Sequence, residues 1–469
     1  MRIRNKAFVI SSIMCFCLVV FSFIGCGATE GNDGTGTSTL ESESAEGVAT
    51  DGGSTLNIYC WNTEFEERMT DYYPGYTDNG DGTGKIGNVK VVWTIVPSND
   101  YQPALDEALL LNMTRSADER VDLFLLEADY ILKYVDSDYT LDVVGNLGIS
   151  ESELADQYQY TKTIATSQEG KLKGVSWQAT PGLFGYRRSI AIDVLGTDDP
   201  VVVQNELSDW NGFDHVADLA NKKGYHMLSG PVETFRVFSN NVTQTWVDDP
   251  SSVSPKIQVD SKLIEWADMC KKYTENGWIG DNEQWTDGWN FDQSAEGKVF
   301  GFFMSTWGIN FTLVGNAGEE GFGDWAVCEG PAAWYWGGTW ISGARGTDNK
   351  ELVVDIMRKL TCDKDNMVKM SGETQDYTNT VSGMETLAAS DYKSDFLSGQ
   401  NHIKLFSQAA PKIDMSKVGP YDHGLNEVFQ KQMGDYIGGK CDKQTAINNF
   451  LKNAVVKYPE LTYDPITVQ

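Results

Sequence analysis

Val121-Asp122-Leu123-Phe124-Leu125-Leu126-Glu127-Ala128-Asp129 is the passage that decides the fold. Asp122–Leu126 reads as a strand and Ala128–Val135 as a short helix. The same alternation precedes it twice. Leu56–Cys60 is an alternating, β-branched strand before the helical Glu64–Tyr73, and Val89–Val96 is a strand ended by Pro97 before the amphipathic Tyr101–Asn112. Strands alternating with helices imply βαβ units around a parallel sheet. Between the first two units, Asp78-Asn79-Gly80-Asp81-Gly82 superficially suggests a calcium loop. It lacks EF-hand ligand spacing and the terminal Glu, so a Gly-rich hairpin is the better reading.

Further along, Gly174–Trp177 and Phe184–Arg187 are extended around Pro181-Gly182. Helical patterns follow at Leu207–Asn221 and Ser261–Asn276, and strand patterns at Val299–Met304, Trp325–Glu329 and Trp340–Ala344. Lys350–Thr361, Tyr421–Gly438 and Lys443–Lys457 read as helices, and no internal repeat is present.

Ahead of the first strand, Arg2, Arg4 and Lys6 lead into an apolar run from Ala7 to Ile24 that ends Phe23-Ile24-Gly25-Cys26. A charged start, an apolar stretch and a small residue before the cleavage point form a secretory signal. Cys26 then offers a thiol for a diacylglyceryl group, in a pattern that resembles a bacterial lipobox, with Phe23 in place of the usual Leu. The rival reading is an uncleaved transmembrane anchor, and both leave the rest of the chain outside the cell. Residues 27–54 hold six acidic and no basic residues among many Gly, Ser and Thr, the composition of a disordered leash.

The net charge of −30 argues against nucleic acid, which needs a basic stripe, and against direct adhesion to anionic lipid. Beyond Cys15, Cys17 and Cys26 stand Cys60, Cys270, Cys328, Cys362 and Cys441, an odd set with no close pair. That is no disulfide framework and no zinc spacing, so buried free thiols are expected. The four histidines, His215, His226, His402 and His423, form no paired ligand motif. No nucleophile elbow, phosphate loop or zincin motif occurs, so neither catalysis, a metal nor a cofactor is expected. A secreted glycosidase stays open as the alternative, because paired carboxylates can be assembled from any of the many acids.

In their order and spacing, several passages resemble the extracellular solute-binding proteins of family 1, which serve carbohydrate ABC importers. They are Leu56–Trp61; Val121–Asp129; Gly170–Trp177 with Gly185-Tyr186-Arg187-Arg188, where the family usually has Tyr-Asn-Lys; Glu296–Val299 through Met304-Ser305-Thr306-Trp307; Ala326–Ile341; and Asn349–Leu360. The resemblance implies an α/β fold, a two-lobed periplasmic-binding-protein-like fold of type II. Each lobe would be a mainly parallel sheet flanked by helices, with ligand in the cleft between them. It divides the chain into a lipoprotein signal peptide (1–25), a disordered linker (26–54), an N-terminal lobe (55–180 and 328–375) and a C-terminal lobe (181–327 and 376–469). It also implies a monomer tethered to the membrane through Cys26 on the extracellular face, with a carbohydrate ligand and ABC permease subunits as partners; a non-sugar solute stays open as the alternative cargo.

Sugar rings present an apolar C–H face and a rim of hydroxyls, so a site needs flat aromatics and hydrogen-bonding groups around them. In α/β folds such residues follow the strands. Trp61, Asn62 and Glu64 follow the first strand, though Trp61 is equally placed to cap the lobe core. Asp129 and Tyr130 follow the third, where Asp129 is a hydroxyl acceptor or a helix N-cap. Trp177 and Gln178 sit at the first crossover, facing the cleft or buried in the hinge. Glu233 and Phe235 fall near a ligand-contacting loop of the resembled family, with Arg236 beside them as a partner for an acid. Trp285 needs either packing or a ligand. Trp307 occupies the family's stacking-tryptophan position. Trp334 and Trp336, with Tyr335, precede Gly337-Gly338, a pair that suggests close backbone approach to a ligand. Tyr377 lies near a third crossover.

Overall fold

Strand β1 (Thr55–Cys60) buries Leu56, Ile58 and Cys60 on one face and pairs in parallel with its neighbours on both sides. In the computed structural model, which describes residues 49–467, it lies near the middle of a seven-stranded sheet. The sheet also contains β2 (Tyr76–Asp78), β3 (Thr83–Ile86), β4 (Val89–Ile95), β5 (Leu123–Glu127), β6 (Val175–Ser176) and β10 (Thr339–Gly343), in the order β2-β3-β4-β1-β5-β10-β6. The Asp78–Gly82 turn joins β2 to β3 as a hairpin, and Asp78 accepts a hydrogen bond from the Gly80 amide at 2.7 Å. Cys26 and the signal segment lie outside the described residues. Within the stretch read as a leash, residues 49–54 are docked. Thr50 exchanges backbone hydrogen bonds with Thr347 and Lys350, and Ser54 donates to Asp118.

The second sheet is β8-β7-β9, made of Gly301–Ser305, Gly182–Arg187 and Trp325–Cys328, with every residue buried. Its named strands pair antiparallel, unlike the parallel arrangement expected in each lobe. Among the described residues, parallel pairing in this lobe comes as isolated bridges, His226 with Val299, Leu228 with Ile279 and Lys256 with Thr462. In the first sheet, parallel pairing runs through β4-β1-β5, while the hairpin edge and the returning β10 are antiparallel. Direction follows connection: strands joined by hairpins, or returning from the other lobe, run opposite to those joined by helices.

Helices cover both sheets. Glu64–Tyr72, Ser98–Leu111 and Lys350–Thr361 pack in one core with the first sheet, and Trp210–Lys222, Ser261–Glu275, Asp422–Ile437 and Lys443–Lys457 in another with the second. The far face of the second sheet (Leu183, Phe302, Met304, Trp325) joins the first core along with Phe396, Ile403 and Phe406. Three chain segments cross between the lobes and are zipped to one another. Ala179 donates its amide to Tyr377 O, Asn379 to Trp177 O, Gly182 to Trp334 O and Trp336 to Thr180 O. These four bonds define the hinge. Cys60, Cys270 and Cys328 are buried free thiols, and burial pushes each up to about 12.

Candidate functional site

Several of the expected residues meet between the lobes, and others do not. On the first lobe, Trp61 is half-buried just past β1, edge-on to Tyr101 and Tyr130 with centroids at 5.5 and 6.2 Å. Tyr101 is anchored beneath them, its hydroxyl donating to Leu125 O at 2.6 Å. Asn62 is exposed and accepts from the Glu64 amide. Asp129, just past β5, is not a helix N-cap. Its two oxygens accept from Nη1 and Nη2 of Arg236 at 2.7 and 2.8 Å.

On the second lobe, the indoles of Trp285 and Trp307 form an aromatic platform, backed by Trp336, which is buried with the Arg236 guanidinium 5.2 Å over its ring. Trp307 lies edge-on to Trp336 at 4.7 Å and parallel to Trp285 at 6.0 Å, and donates Nε1–H to Trp336 O at 2.9 Å. Trp285 is 52 % exposed and sits at φ 71°, a left-handed conformation that bulky residues avoid and that clusters at functional sites. Phe311, 75 % exposed, extends the platform edge-on to Trp307 at 6.3 Å. It sits in a π-helical turn, Ile309–Leu313, a feature common at functional sites. The sequence reading missed Phe311. Its one signal is an i, i+4 aromatic pair with Trp307, which core helices also carry.

The Gly337-Gly338 pair has a different role from the one expected. Both glycines have positive φ, 80° and 104°, and a Cβ on Gly337 would stand 2.7 Å from Trp307 Nε1. The close approach is to the indole that completes the platform.

A hydrogen-bond chain joins the lobes beside the hinge. Gln178 Nε2 donates to Glu64 Oε1 at 3.0 Å and to Asp376 Oδ2 at 2.8 Å. Asp376 Oδ1 accepts from Thr306, the residue before Trp307, at 2.7 Å. Arg68 donates to Glu64 from the other side. Burial pushes the Glu64 carboxyl up to about 7, with Arg68 opposing and Asp376 adding to the rise. Burial, with the neighbouring Asp129 charge, lifts Glu127 to about 8. Burial also works against ionisation of Asp129, but the Arg236 charge and its two hydrogen bonds outweigh it and hold that carboxyl low.

The remaining expected residues are packed away from this surface. Trp177 is 1 % exposed and stacks on Phe65 at 5.4 Å, in the core of the first lobe. Phe235 faces inward, edge-on to Trp266, and Trp334 packs against Phe303. Tyr377 is buried, donating to Ser407 and hydrogen-bonded to Tyr158. Glu233 is buried behind the platform, where it accepts the Trp289 indole N–H at 2.7 Å. Burial holds the Glu233 carboxyl well above its usual range. Trp289 in turn lies against Trp285 at 5.3 Å, so Glu233 supports the platform from the rear.

This is the two-lobed fold of the periplasmic sugar-binding proteins, a mixed α/β architecture with helices flanking its sheets. Many solved structures that share it are extracellular solute-binding proteins of family 1 or sugar ABC transporter binding proteins, matched over most of the chain. One described as an extracellular solute-binding protein of family 1 superposes with a TM-score of 0.69 at 19 % identity, covering 85 % of this chain and 98 % of that one. The ABC transporter-associated binding protein of B. animalis subsp. lactis Bl-04, in complex with β-1,6-galactobiose, gives 0.66 at 15 % identity over 88 % and 100 % of the two chains. The sugar-binding protein MalE of Xanthomonas citri gives 0.62 at 13 %, over 86 % and 98 %. No protein-family model and no curated protein sequence matches the chain.

Proposed function

We propose that this protein is the substrate-binding lipoprotein of an ABC importer, and that it captures a neutral extracellular oligosaccharide between its lobes. The observation that carries the reading is the platform of Trp285 and Trp307 in the second lobe, backed by the buried Trp336, with Trp61, Tyr130 and the carboxylates of Glu64 and Asp129 in the first. Flat indoles suit the C–H faces of pyranose rings, and carboxylates accept strongly from hydroxyls. Neighbours of the same fold hold galactobiose, lacto-N-biose and maltose, which agrees with this chemistry. Ligand contacting both lobes would favour the closed form, and the permease would read that shape. Cys26 would hold the protein on the outer face of the membrane, as a monomer that releases its cargo chemically unchanged.

A thermal-shift screen over neutral mono- and oligosaccharides tests this, because a ligand that binds only the folded state raises the melting temperature. For the best sugar, calorimetric titration of Trp307→Ala should show at least a tenfold loss of affinity, or about 1.4 kcal/mol. The variant should melt close to the native protein without sugar. Unchanged affinity in this variant would remove the platform from the site.

A further inference from the structure

We propose that the Asp129–Arg236 pair is a latch that holds the two lobes together before any ligand arrives. Asp129 stands at the tip of β5 in the first lobe, while Arg236 lies on the helix Phe235–Ser239, whose apolar residues belong to the second core. The pair therefore spans the cleft. Two parallel N–H···O bonds at 2.7 and 2.8 Å fix distance and orientation together, as a single Lys contact would not.

Both partners are preset. The guanidinium rests 5.2 Å over the Trp336 ring, which fixes it on its own lobe and reduces the entropy lost when the fork engages. The Asp129 backbone is pinned by its amide hydrogen bond to Glu127 Oε2 at 2.7 Å. A clamp of this class ordinarily closes because a ligand touches both sides. Here one contact from each side is already supplied by the protein. The unliganded chain should thus populate a closed conformer, and opening should become easier as salt screens the half-exposed pair.

The test needs no sugar, so it can fail while the carbohydrate reading stands, and the reverse. Genetically encoded spin-label residues replace Glu107 and Glu265, exposed positions on helices of the two lobes, in the full chain held in detergent. Pulsed dipolar spectroscopy then reads the interlobe distance. At low salt the native chain should show a dominant short distance. Asp129→Asn and Arg236→Gln should each raise the long-distance population roughly three- to tenfold. Salt of about 1 M, where the screening length is about 3 Å, should shift the native chain in the same direction and leave both variants unmoved. A native chain already at the longer distance in low salt, or variants with native distance distributions, would overturn the latch.

Discussion

Gly182→Ala should destabilise the protein strongly, and the cost should vanish when Trp334 is shortened. Gly182 opens β7 at the hinge, its amide donating to Trp334 O at 2.7 Å while its Cα faces that residue's own ring. A Cβ built there meets Trp334 Cε2 at 2.1 Å, Cδ2 at 2.4 Å and Cζ2 at 2.5 Å, inside any real carbon–carbon contact. The indole is 1 % exposed and lies edge-on to Phe303, so it has little room to withdraw. Overpacking of this kind costs about 1–3 kcal/mol, and three contacts on a rigid ring place it near the upper end. Trp334→Ala alone should cost about 3–5 kcal/mol through the cavity it leaves. In the double variant the methyl group enters that cavity, so the two costs should fall short of additivity by about 2–3 kcal/mol. Urea unfolding of the four proteins, followed by far-ultraviolet circular dichroism, measures the cycle. Additive costs, or a Gly182→Ala change under about 0.5 kcal/mol, would refute the packing and reopen Trp334 as a ligand contact.

Thr306→Val removes one of the two donors to Asp376 Oδ1, leaving only the Tyr377 amide, and Gln178→Leu removes the bridge between Glu64 and Asp376. Each should cost about 1–3 kcal/mol of stability in urea unfolding, as buried polar partners do when one is removed. Stability should also fall as pH rises from about 4.5 towards 8. Glu64 and Glu127 have folded values of about 7 and 8, above the ordinary carboxylate range. The folded state then binds the extra protons, so the stabilisation is full below the unfolded value and lost through the folded one. Glu64→Gln should flatten the lower part of that slope, between about pH 4.5 and 7, in melts across a pH series, and an unchanged slope would contradict the assignment.

The strands that shape the first lobe were legible in the sequence, because β1, β4 and β5 are uninterrupted runs bounded by turns and helices. Their direction was less so: β7, β8 and β9 have the same apolar composition as parallel strands, and only the connections reveal that they alternate. The aromatic residues show the same limit. Trp334 and Trp336 stand two apart beside the same Gly pair and both are buried, yet one is sealed in the core and the other backs the platform. The difference lies in Gly182 and Phe303 against one ring and Arg236 and Trp307 against the other. Those partners are distant in sequence, as are Asp129 from Arg236 and Gln178 from Asp376. Spacing along the chain carries no trace of such pairs. Arg236 reads as an acid's partner, but nothing in the sequence identifies which acid.

Equilibrium dialysis of the full chain against a mixture of labelled neutral oligosaccharides, with mass spectrometry of what is retained, tests the central claim most directly. One sugar should be held per chain, recovered at its original mass, and lost from the Trp307→Ala variant. Shortened chains accumulating in the dialysate, or no sugar retained from any neutral mixture, would contradict it.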